Sequence, residues 1–505
     1  MTSRHRRRQT GELDAKAVAD FIVPGVNQIF LLQEPTIDRL LVVVQIGARR
    51  GAFVEADGDP AAVNAAMRLT LVAKRGVNRE YRRVERNMRV CVLGAGVVGL
   101  ATAWALSEAG CEVIVADGAT TVGQGASAGN GAQLSYNFVA PFASPDTLRH
   151  LPALLLDRAA PVRIRPQFNL DFPRWSLAFL RNCTNRMVRE TTAAQLALGA
   201  LSRAELDAVE KAADVSFCRR VAGKLVVYRE PHSFAAGRRD AEAKHGIGAE
   251  QMVLDVSECL REEPGLRIAP GLLQGGVYTP SEELGDSAAF CEGLAAKLSQ
   301  RNTVSFVMGG QVTPMLREDK LVAVRANGAE IAADCFVLCF GSGSARFARA
   351  CGFRLPIQPM KGYSFTFRPR TKLGELRHSV TDADRKIVFA PLDRPDGQVI
   401  RAAGIADLVG EDRSIDPKRL AGLRKGTADA LDVDLDSDPI GWTGLRPVTP
   451  DSRPIIGPSP VPGLLLNTGH GALGWTLACG SARLAVQLLL GQEPSVPAAA
   501  FAFGR

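Results

Sequence analysis

The sequence predicts an α/β fold in which a nucleotide-type sheet carries a second, antiparallel sheet. Three observations predict it. Arg89-Val90-Cys91-Val92-Leu93 suits a short buried strand, Gly94-Ala95-Gly96-Val97-Val98-Gly99 follows at once, and Leu100 to Leu106 continues at helical spacing. Eighteen residues after Gly99, a second hydrophobic run, Glu112 to Ala116, ends at Asp117. Near the far end, a strand at Gly463 to Asn467 passes through Thr468-Gly469-His470-Gly471-Ala472-Leu473-Gly474-Trp475-Thr476 into a helix over about 475–490.

The first two observations form a dinucleotide fingerprint in its required context of strand, glycine turn, helix, second strand and terminal acid. Gly94 permits the tight turn, Gly96 lets backbone approach a pyrophosphate, and Gly99 lets helix and strand pack closely. The phosphate charge would rest on the helix N-terminus, and Asp117 would accept hydrogen bonds from a ribose.

At 505 residues, with 46% hydrophobic and 23% charged residues, the chain can hold two or three domains with substantial cores. The formal charge of +8 is unevenly placed, because residues 1–87 carry 15 Lys or Arg against 10 Asp or Glu. The remaining excess calls for no nucleic-acid partner. Ten cysteines contain no CxxC pair, so buried free thiols are expected and a metal site is not. No apolar run approaches the ~18–20 residues needed to span a bilayer.

Residues 1–87 open with the basic cluster Arg4-His5-Arg6-Arg7-Arg8 and show no repeated pattern. Met88 stands one residue before the first sheet strand, so 1–87 is expected to be an extension or to precede the natural start. The alternatives are a small domain or a targeting segment. Residues 118–145 are rich in Gly, Ala, Ser and Asn, and a loop there could cover a ligand, with Ser127 and Asn130 reaching its polar atoms. Helices are expected over much of 146–215, at 234–246 and at 286–298. Strands are expected at 224–228, 275–279, 304–307 and 321–324. Ile331 to Cys339 is expected as one strand opening into Phe340-Gly341-Ser342-Gly343, a place to meet ligand phosphate or adenine. Short strands at 362–367, 386–389 and 399–401 suggest the antiparallel sheet, and 414–435 a helix. After Gly491 the Pro- and Ala-rich run is expected to be a disordered tail.

The chain from 88 to about 493 resembles FAD-dependent D-amino acid dehydrogenases, within the D-amino acid oxidase and glycine oxidase family. The resemblance is carried by Gly94 to Gly99, by Ser127 with Asn130 and Gln133, and by Pro359-Met360-Lys361-Gly362-Tyr363-Ser364. It is carried more specifically by Trp442 to Asp451 and by Asn467 to Thr476. It implies a doubly wound FAD-binding domain interleaved with an antiparallel-sheet substrate domain. Residues 88–140, 285–358 and 438–493 would build the first, and 141–284 and 359–437 mostly the second, with 494–505 as a tail. FAD is the implied cofactor. Val92, Gly94, Ala95, Gly96, Val97, Val98, Gly99 and Asp117 would hold its nucleotide end, with Ser127, Asn130, Gln133 and Gly341 nearby. Gly469, His470, Gly471, Gly474, Trp475 and Thr476 would meet the pyrimidine end of the flavin, where a following helix stabilises developing negative charge.

Arg446 is the residue the resemblance assigns to the substrate carboxylate, and a guanidinium fork suits that task. A structural salt bridge is the alternative for the same residue. Tyr363 is a second carboxylate or amine contact, or a packing residue. Tyr136 on its loop faces the same choice. His470 is a proton-transfer candidate, though between two glycines it also suits a purely backbone role. Lys361 is expected to order the turn before its strand. The sequence departs from the family at Gly125-Ala126, where relatives carry Glu-Thr, at Ala132 for glycine, and at Ala472 for threonine. Ser135-Tyr136-Asn137-Phe138 also replaces Ser-Pro-Gly-Tyr.

The implied reaction is oxidation of a D-amino acid to an imino acid, then hydrolysis to a 2-oxo acid and ammonia. Electrons would leave to a respiratory acceptor, a quinone or an electron-transfer partner, from a cytoplasmic protein in peripheral contact with the membrane. An oxygen-using D-amino acid, glycine or sarcosine oxidase, an NAD enzyme and a non-catalytic FAD-binding subunit remain as other readings.

Overall fold

The computed structural model describes residues 88–505 apart from 138, 140, 150–161, 166, 168–169, 246–249 and 434–439. Before residue 88 it describes three short strands, Ile29–Gln33, Leu40–Val44 and Phe53–Ala56, paired antiparallel in a small sheet of their own. The rest of 1–87 lies outside the described residues, as do Phe138 and much of the helix expected after 146.

The fingerprint strand Arg89–Leu93 sits inside a six-stranded sheet, between Glu112–Asp117 and Cys335–Leu338. Val304–Met308 extends the sheet beyond Glu112–Asp117. Leu464–Thr468 and then Ile455–Pro458 extend it on the other side. Every pairing is parallel except the last. Such strands bury both faces, which explains their nearly continuous hydrophobic character. Successive side chains point to opposite faces. Val90, Val92, Val113, Val115 and Val337 therefore pack with the helices Val97–Glu108, Ser287–Ser299 and Ala478–Leu489. Cys91, Leu93, Phe336 and Leu338 pack on the other side, with Leu321 and Val324 from a three-stranded antiparallel sheet and Phe347 from the helix Ser344–Ala350.

The second sheet has nine strands and is mostly antiparallel. From one edge it runs Met252–Leu254, Gly275–Thr279, Lys224–Tyr228, Ser379–Asp382, Ile387–Arg394, Gly397–Leu408, Gln358–Phe367 and Trp442–Val448. Val162–Ile164 joins alongside the end of Gly397–Leu408. Tyr363, Phe365, Phe389 and Ile400 form its core with Leu423 of the helix Pro417–Ala428. That helix starts where Asp416 caps the amide of Lys418 and Pro417 fixes the first turn. Lys224–Tyr228 and Trp442–Val448 therefore sit near opposite edges of one curved wall.

Two expectations about local structure are corrected. The run Ile331 to Cys339 is not one strand. Ala329–Ala332 belongs to the small antiparallel sheet and Cys335–Leu338 to the parallel one. The break falls at Asp334, whose carboxylate accepts the backbone N–H of Arg89 at 2.8 Å. The 494–505 tail is ordered, because its short helix Ala498–Phe501 drives Phe501 fully into the helix-side core. All ten cysteines are free, and nine are buried.

Candidate active site

The fingerprint turn is built as its glycines require. A Cβ on Gly99 would overlap the carbonyl oxygen of Gly94, and one on Gly94 would stand 2.6 Å from the carbonyl oxygen of Cys339. These two glycines, with fully buried Val92, set the packing of strand against helix and do not line the cavity. Ala95, Gly96, Val97 and Val98 do line it. The first N–H groups of a helix have no intrahelical acceptor, so this end of the wall is electropositive. Asp117 faces the same space, and its two oxygens accept from the backbone amides of Ala95 (2.7 Å) and Ala119 (2.8 Å). Each oxygen keeps a lone pair for a ligand hydroxyl.

The cavity measures about 2020 Å³ and runs without interruption from Gly96 and Asp117 to Arg446 and the loop 470–476. That exceeds the roughly 300–1,000 Å³ of a site for one small molecule. The glycine-rich loop 123–133 forms one side. Ser127 Oγ accepts from the amide of Val97 at 3.1 Å, tying this loop to the helix end. Asn130 lines the cavity too, donating to Ser287 Oγ at 2.6 Å and accepting from the amide of Ala132 at 2.8 Å. Gln133 spans to the nine-stranded sheet, bonding Ser379 through its amide nitrogen and accepting from Lys224 Nζ at 3.1 Å. Gly341 lines the cavity opposite, at the end of the strand Cys335–Leu338.

The loop after Leu464–Thr468 forms the far wall. Gly469 packs behind it, against Thr449, while His470, Gly471, Gly474, Trp475 and Thr476 line it. Trp475 turns its indole into the core, donating Nε1 to the carbonyl of Gly285 at 2.9 Å. Thr476 Oγ1 accepts from the amide of Ser135 at 3.1 Å, joining this loop to the other. Two buried atoms here have no hydrogen-bond partner among the described residues: Asn467 Oδ1 and His470 Nε2. Burial lowers the pKa of His470 to about 3, so its imidazole is neutral at physiological pH.

Arg446 comes from the edge strand Trp442–Val448 and lies largely buried at the cavity wall. Its Nη1 donates to the backbone carbonyl of Ile405 at 3.1 Å. No carboxylate among the described residues pairs with it, and burial alone lowers its pKa. The salt-bridge alternative for Arg446 therefore has no partner here. Tyr363 lines the same wall, but its hydroxyl donates to Asp407 Oδ2 at 3.3 Å. Asp407 is itself gripped by Arg163 and Arg419, each at 2.7 Å. Burial, with Asp407 beside it, pushes the Tyr363 hydroxyl up to about 12.

The expected pocket role of Tyr136 is not seen. It is absent from the cavity lining and packs in the helix-side core with Leu198 and Leu206. Its backbone amide donates to Glu282 Oε2 at 2.8 Å. Lys361 does not order a turn either. Inside the strand Gln358–Phe367, its Nζ bonds Asp412 Oδ2 and the carbonyl of Ser414, both at 2.9 Å. It thereby holds the loop that brings Arg413 to the cavity rim.

One residue that the sequence reading passed over lines the cavity. Lys224, 4% exposed, donates to Gln133 and to Ser135 Oγ at 3.0 Å, and burial lowers its pKa to about 8. Nothing local in Lys-Leu-Val-Val-Tyr distinguishes it from an edge charge, since its partners lie about 90 residues away.

A long cavity with an anion-favouring helix end, a carboxylate for a ribose and unsatisfied polar atoms at the far wall fits a dinucleotide with a redox ring. A family model described as FAD dependent oxidoreductase, DAO, matches residues 89–488. The chain belongs to this DAO family. It is 38% identical over 433 residues to D-amino acid dehydrogenase 2 of Ralstonia nicotianae, covering 83% of this chain and 100% of that protein. It is 40% identical over 413 residues to D-amino acid dehydrogenase 2 of Pseudomonas aeruginosa, covering 81% and 96%. In fold it is similar to glycine oxidase from Geobacillus kaustophilus, with a TM-score of 0.65 at 20% identity over 83% of this chain and 99% of that one. As a DAO-family member the protein is an FAD-dependent oxidoreductase. The orphaned Asn467 and His470 atoms and the uninterrupted cavity suit FAD lying from Asp117 to the loop 470–476.

Proposed function

We propose that this protein is a D-amino acid dehydrogenase, oxidising D-amino acids to 2-oxo acids and ammonia and passing electrons to an acceptor other than oxygen. The observation that carries the reading is Arg446. A largely buried guanidinium at the wall of an FAD cavity, with no carboxylate among the described residues beside it, calls for a carboxylate from outside. The curated relatives named D-amino acid dehydrogenase support both the amino acid and its hand.

FAD, held between Asp117 and the loop 470–476, would supply the electron sink for oxidation of the substrate Cα. The chain's own residues supply binding, orientation and charge. Arg446 fixes the carboxylate and so sets where Cα lies, and such positioning accounts for large rate factors. Tyr363 offers its ring to the pocket while its hydroxyl stays on Asp407. The loop 470–476 and the helix Ala478–Leu489 behind it place backbone amides and a positive dipole end at the far wall. Asn467 Oδ1 is available there to accept a hydrogen bond, and His470 Nε2 to accept or donate one according to its tautomer. Burial keeps His470 neutral and makes it a poor proton acceptor, so it has no base role in this reading, in which the substrate amine enters deprotonated. The imino product then takes up water and releases ammonia.

A quinone or an electron-transfer protein is the proposed acceptor, reached by peripheral contact with the inner face of the membrane. Among the described residues no helix is long and apolar enough to cross a membrane. The test is anaerobic reduction of the bound flavin by a panel of D- and L-amino acids, followed by reoxidation with a quinone analogue or with oxygen. Bleaching by D-amino acids and faster reoxidation by the quinone is the expected result. Bleaching by L-amino acids alone, or reoxidation by oxygen at the quinone rate, overturns the proposal.

A further inference from the structure

Arg446 is held in place by two features of the backbone rather than by charge. The first is Gly362, on the neighbouring strand Gln358–Phe367. A Cβ at this glycine would stand 2.5 Å from Nη2, 2.7 Å from Cζ and 3.2 Å from Nε of Arg446. The guanidinium therefore rests on a bare Cα, in space that any side chain would take. The second is a bulge in the next strand, Gly397–Leu408. Lys361 pairs with Asp407 and Tyr363 with Gly404, so Ile405 and Ala406 share one partner, Gly362. Ile405 takes φ +62° there. For a β-branched residue that conformation is an outlier, sustained only where the surroundings enforce it. The surroundings are visible: Ile405 is 9% exposed and packs in the cluster of Tyr363, Phe365 and Leu423. A bulge leaves its extra residue unpaired in the ladder, and the Ile405 carbonyl is free to accept from Arg446 Nη1 at 3.1 Å.

We propose that Gly362 and the Ile405 bulge form a seat that aims the Arg446 guanidinium into the cavity, and that carboxylate recognition depends on this seat. The proposal rests on the reading of Arg446 as the carboxylate ligand. The two features act on different atoms. Gly362 sets how close the guanidinium lies to the sheet, and the Ile405 carbonyl fixes its rotation by taking one Nη1 proton. Together they leave the remaining donors at the cavity wall, with no carboxylate among the described residues to turn them. Gly362 and Ile405 are positioning residues, because they act on substrate through Arg446. Strand Trp442–Val448 alone would give a long, flexible side chain many orientations; the seat selects one before substrate arrives.

The experiment uses the FAD-loaded full chain and four variants: Gly362→Ala, Ile405→Ala, Ile405→Gly and Arg446→Met. Benzoate is the carboxylate probe, titrated by its perturbation of the flavin spectrum. D-Alanine and D-alaninamide are the substrates, the second lacking the carboxylate. Gly362→Ala is expected to weaken benzoate at least tenfold and to raise the KM for D-alanine similarly, about the value of one displaced charge-assisted hydrogen bond. FAD content and D-alaninamide turnover should stay within about threefold of wild type, since neither uses the guanidinium. Ile405→Ala, which removes the packing that holds the strained peptide, should weaken benzoate at least about threefold. Ile405→Gly, which adopts the same φ freely and keeps the carbonyl, should weaken it less than Ile405→Ala does.

If Arg446→Met binds benzoate normally, both the carboxylate reading and the seat are wrong. If Arg446→Met loses benzoate while Gly362→Ala keeps it, the seat alone is wrong. Should Gly362→Ala fail to hold FAD, Ile405→Ala decides: wild-type benzoate affinity in that variant overturns the seat. Equal losses on D-alanine and D-alaninamide in a seat variant overturn it too, because general damage to the pocket would produce them.

Discussion

Replacing Arg446 by Met should separate activity from stability, and the structure gives the sign of each. Among the described residues the guanidinium has one acceptor, the Ile405 carbonyl, and no carboxylate. A substrate carboxylate on the remaining fork would receive two charge-assisted hydrogen bonds, each worth roughly 1.5–3 kcal/mol. Losing both removes about 3–6 kcal/mol, a fall in kcat/KM for D-alanine of about 10²–10⁴-fold. The fold should feel almost nothing. A largely buried charge without an ionic partner is a burden, and an apolar side chain of similar length relieves it. Against that stands the Ile405 carbonyl left without its donor, at about 1–3 kcal/mol. The two effects oppose, so the urea midpoint should move little. The assay is steady-state turnover with a dye acceptor on protein of known FAD content, together with urea unfolding of the same preparation. A variant that keeps kcat/KM within about fivefold refutes the carboxylate role. A collapse in stability along with activity refutes the claim that Arg446 has no structural ion pair.

Three further outcomes follow from the geometry. Asp117→Ala leaves the amides of Ala95 and Ala119 without acceptors, at about 1–3 kcal/mol each, and should give purified protein with little flavin absorbance; full FAD occupancy would refute the placement of the cofactor. Tyr363→Phe removes a hydroxyl from Asp407, which keeps Arg163 and Arg419, so kcat/KM should stay within about fivefold; a far larger loss would put the hydroxyl on substrate. His470 has a folded pKa of about 3, below its unfolded value of about 6.5, so below pH 6.5 the unfolded state takes a proton that the folded state refuses. Stability therefore falls as pH drops from about 6.5 toward 3, by about 2 kcal/mol at pH 5 from this residue alone, and urea titrations of His470→Asn should show a correspondingly shallower pH slope.

What the sequence disclosed and what it concealed divide along one physical line. The fingerprint was readable because its demands are local. Gly94 must adopt a turn beside the Cys339 carbonyl and Gly99 must meet the Gly94 carbonyl, so residue type alone records the geometry. The same holds for strands whose hydrophobic runs have both faces buried. The run 331–339 misled because hydrophobicity does not say which sheet a residue joins. Its break depends on a bond between Asp334 and Arg89, about 245 positions apart. Tyr136 misled for a similar reason. Its loop position suggested the pocket, but Glu282, 146 positions away, holds its backbone, and its ring packs in the core. Phe501 shows the converse, one anchor ordering a stretch whose Pro and Ala content argues for disorder.

The candidate site obeys the same division, and this explains why its chemistry was only half visible. Arg446 could be named from its motif, but not the lack of a carboxylate partner among the described residues, which depends on the elements folded around it. Lys224 could not be named at all, because a lysine opening a hydrophobic strand normally ends in solvent. Only the crossing of the loop 123–133 over the nine-stranded sheet brings Gln133 and Ser135 to its ammonium. Ile405 is the sharpest case. As an isoleucine in a hydrophobic strand it carries every sign of ordinary packing, and its side chain does pack in the core. Its strain at φ +62° arises from a register shift between two strands, a relation between segments rather than a property of either. The charge that would meet the substrate is thus written in one residue, while its direction is written in the pairing of three strands.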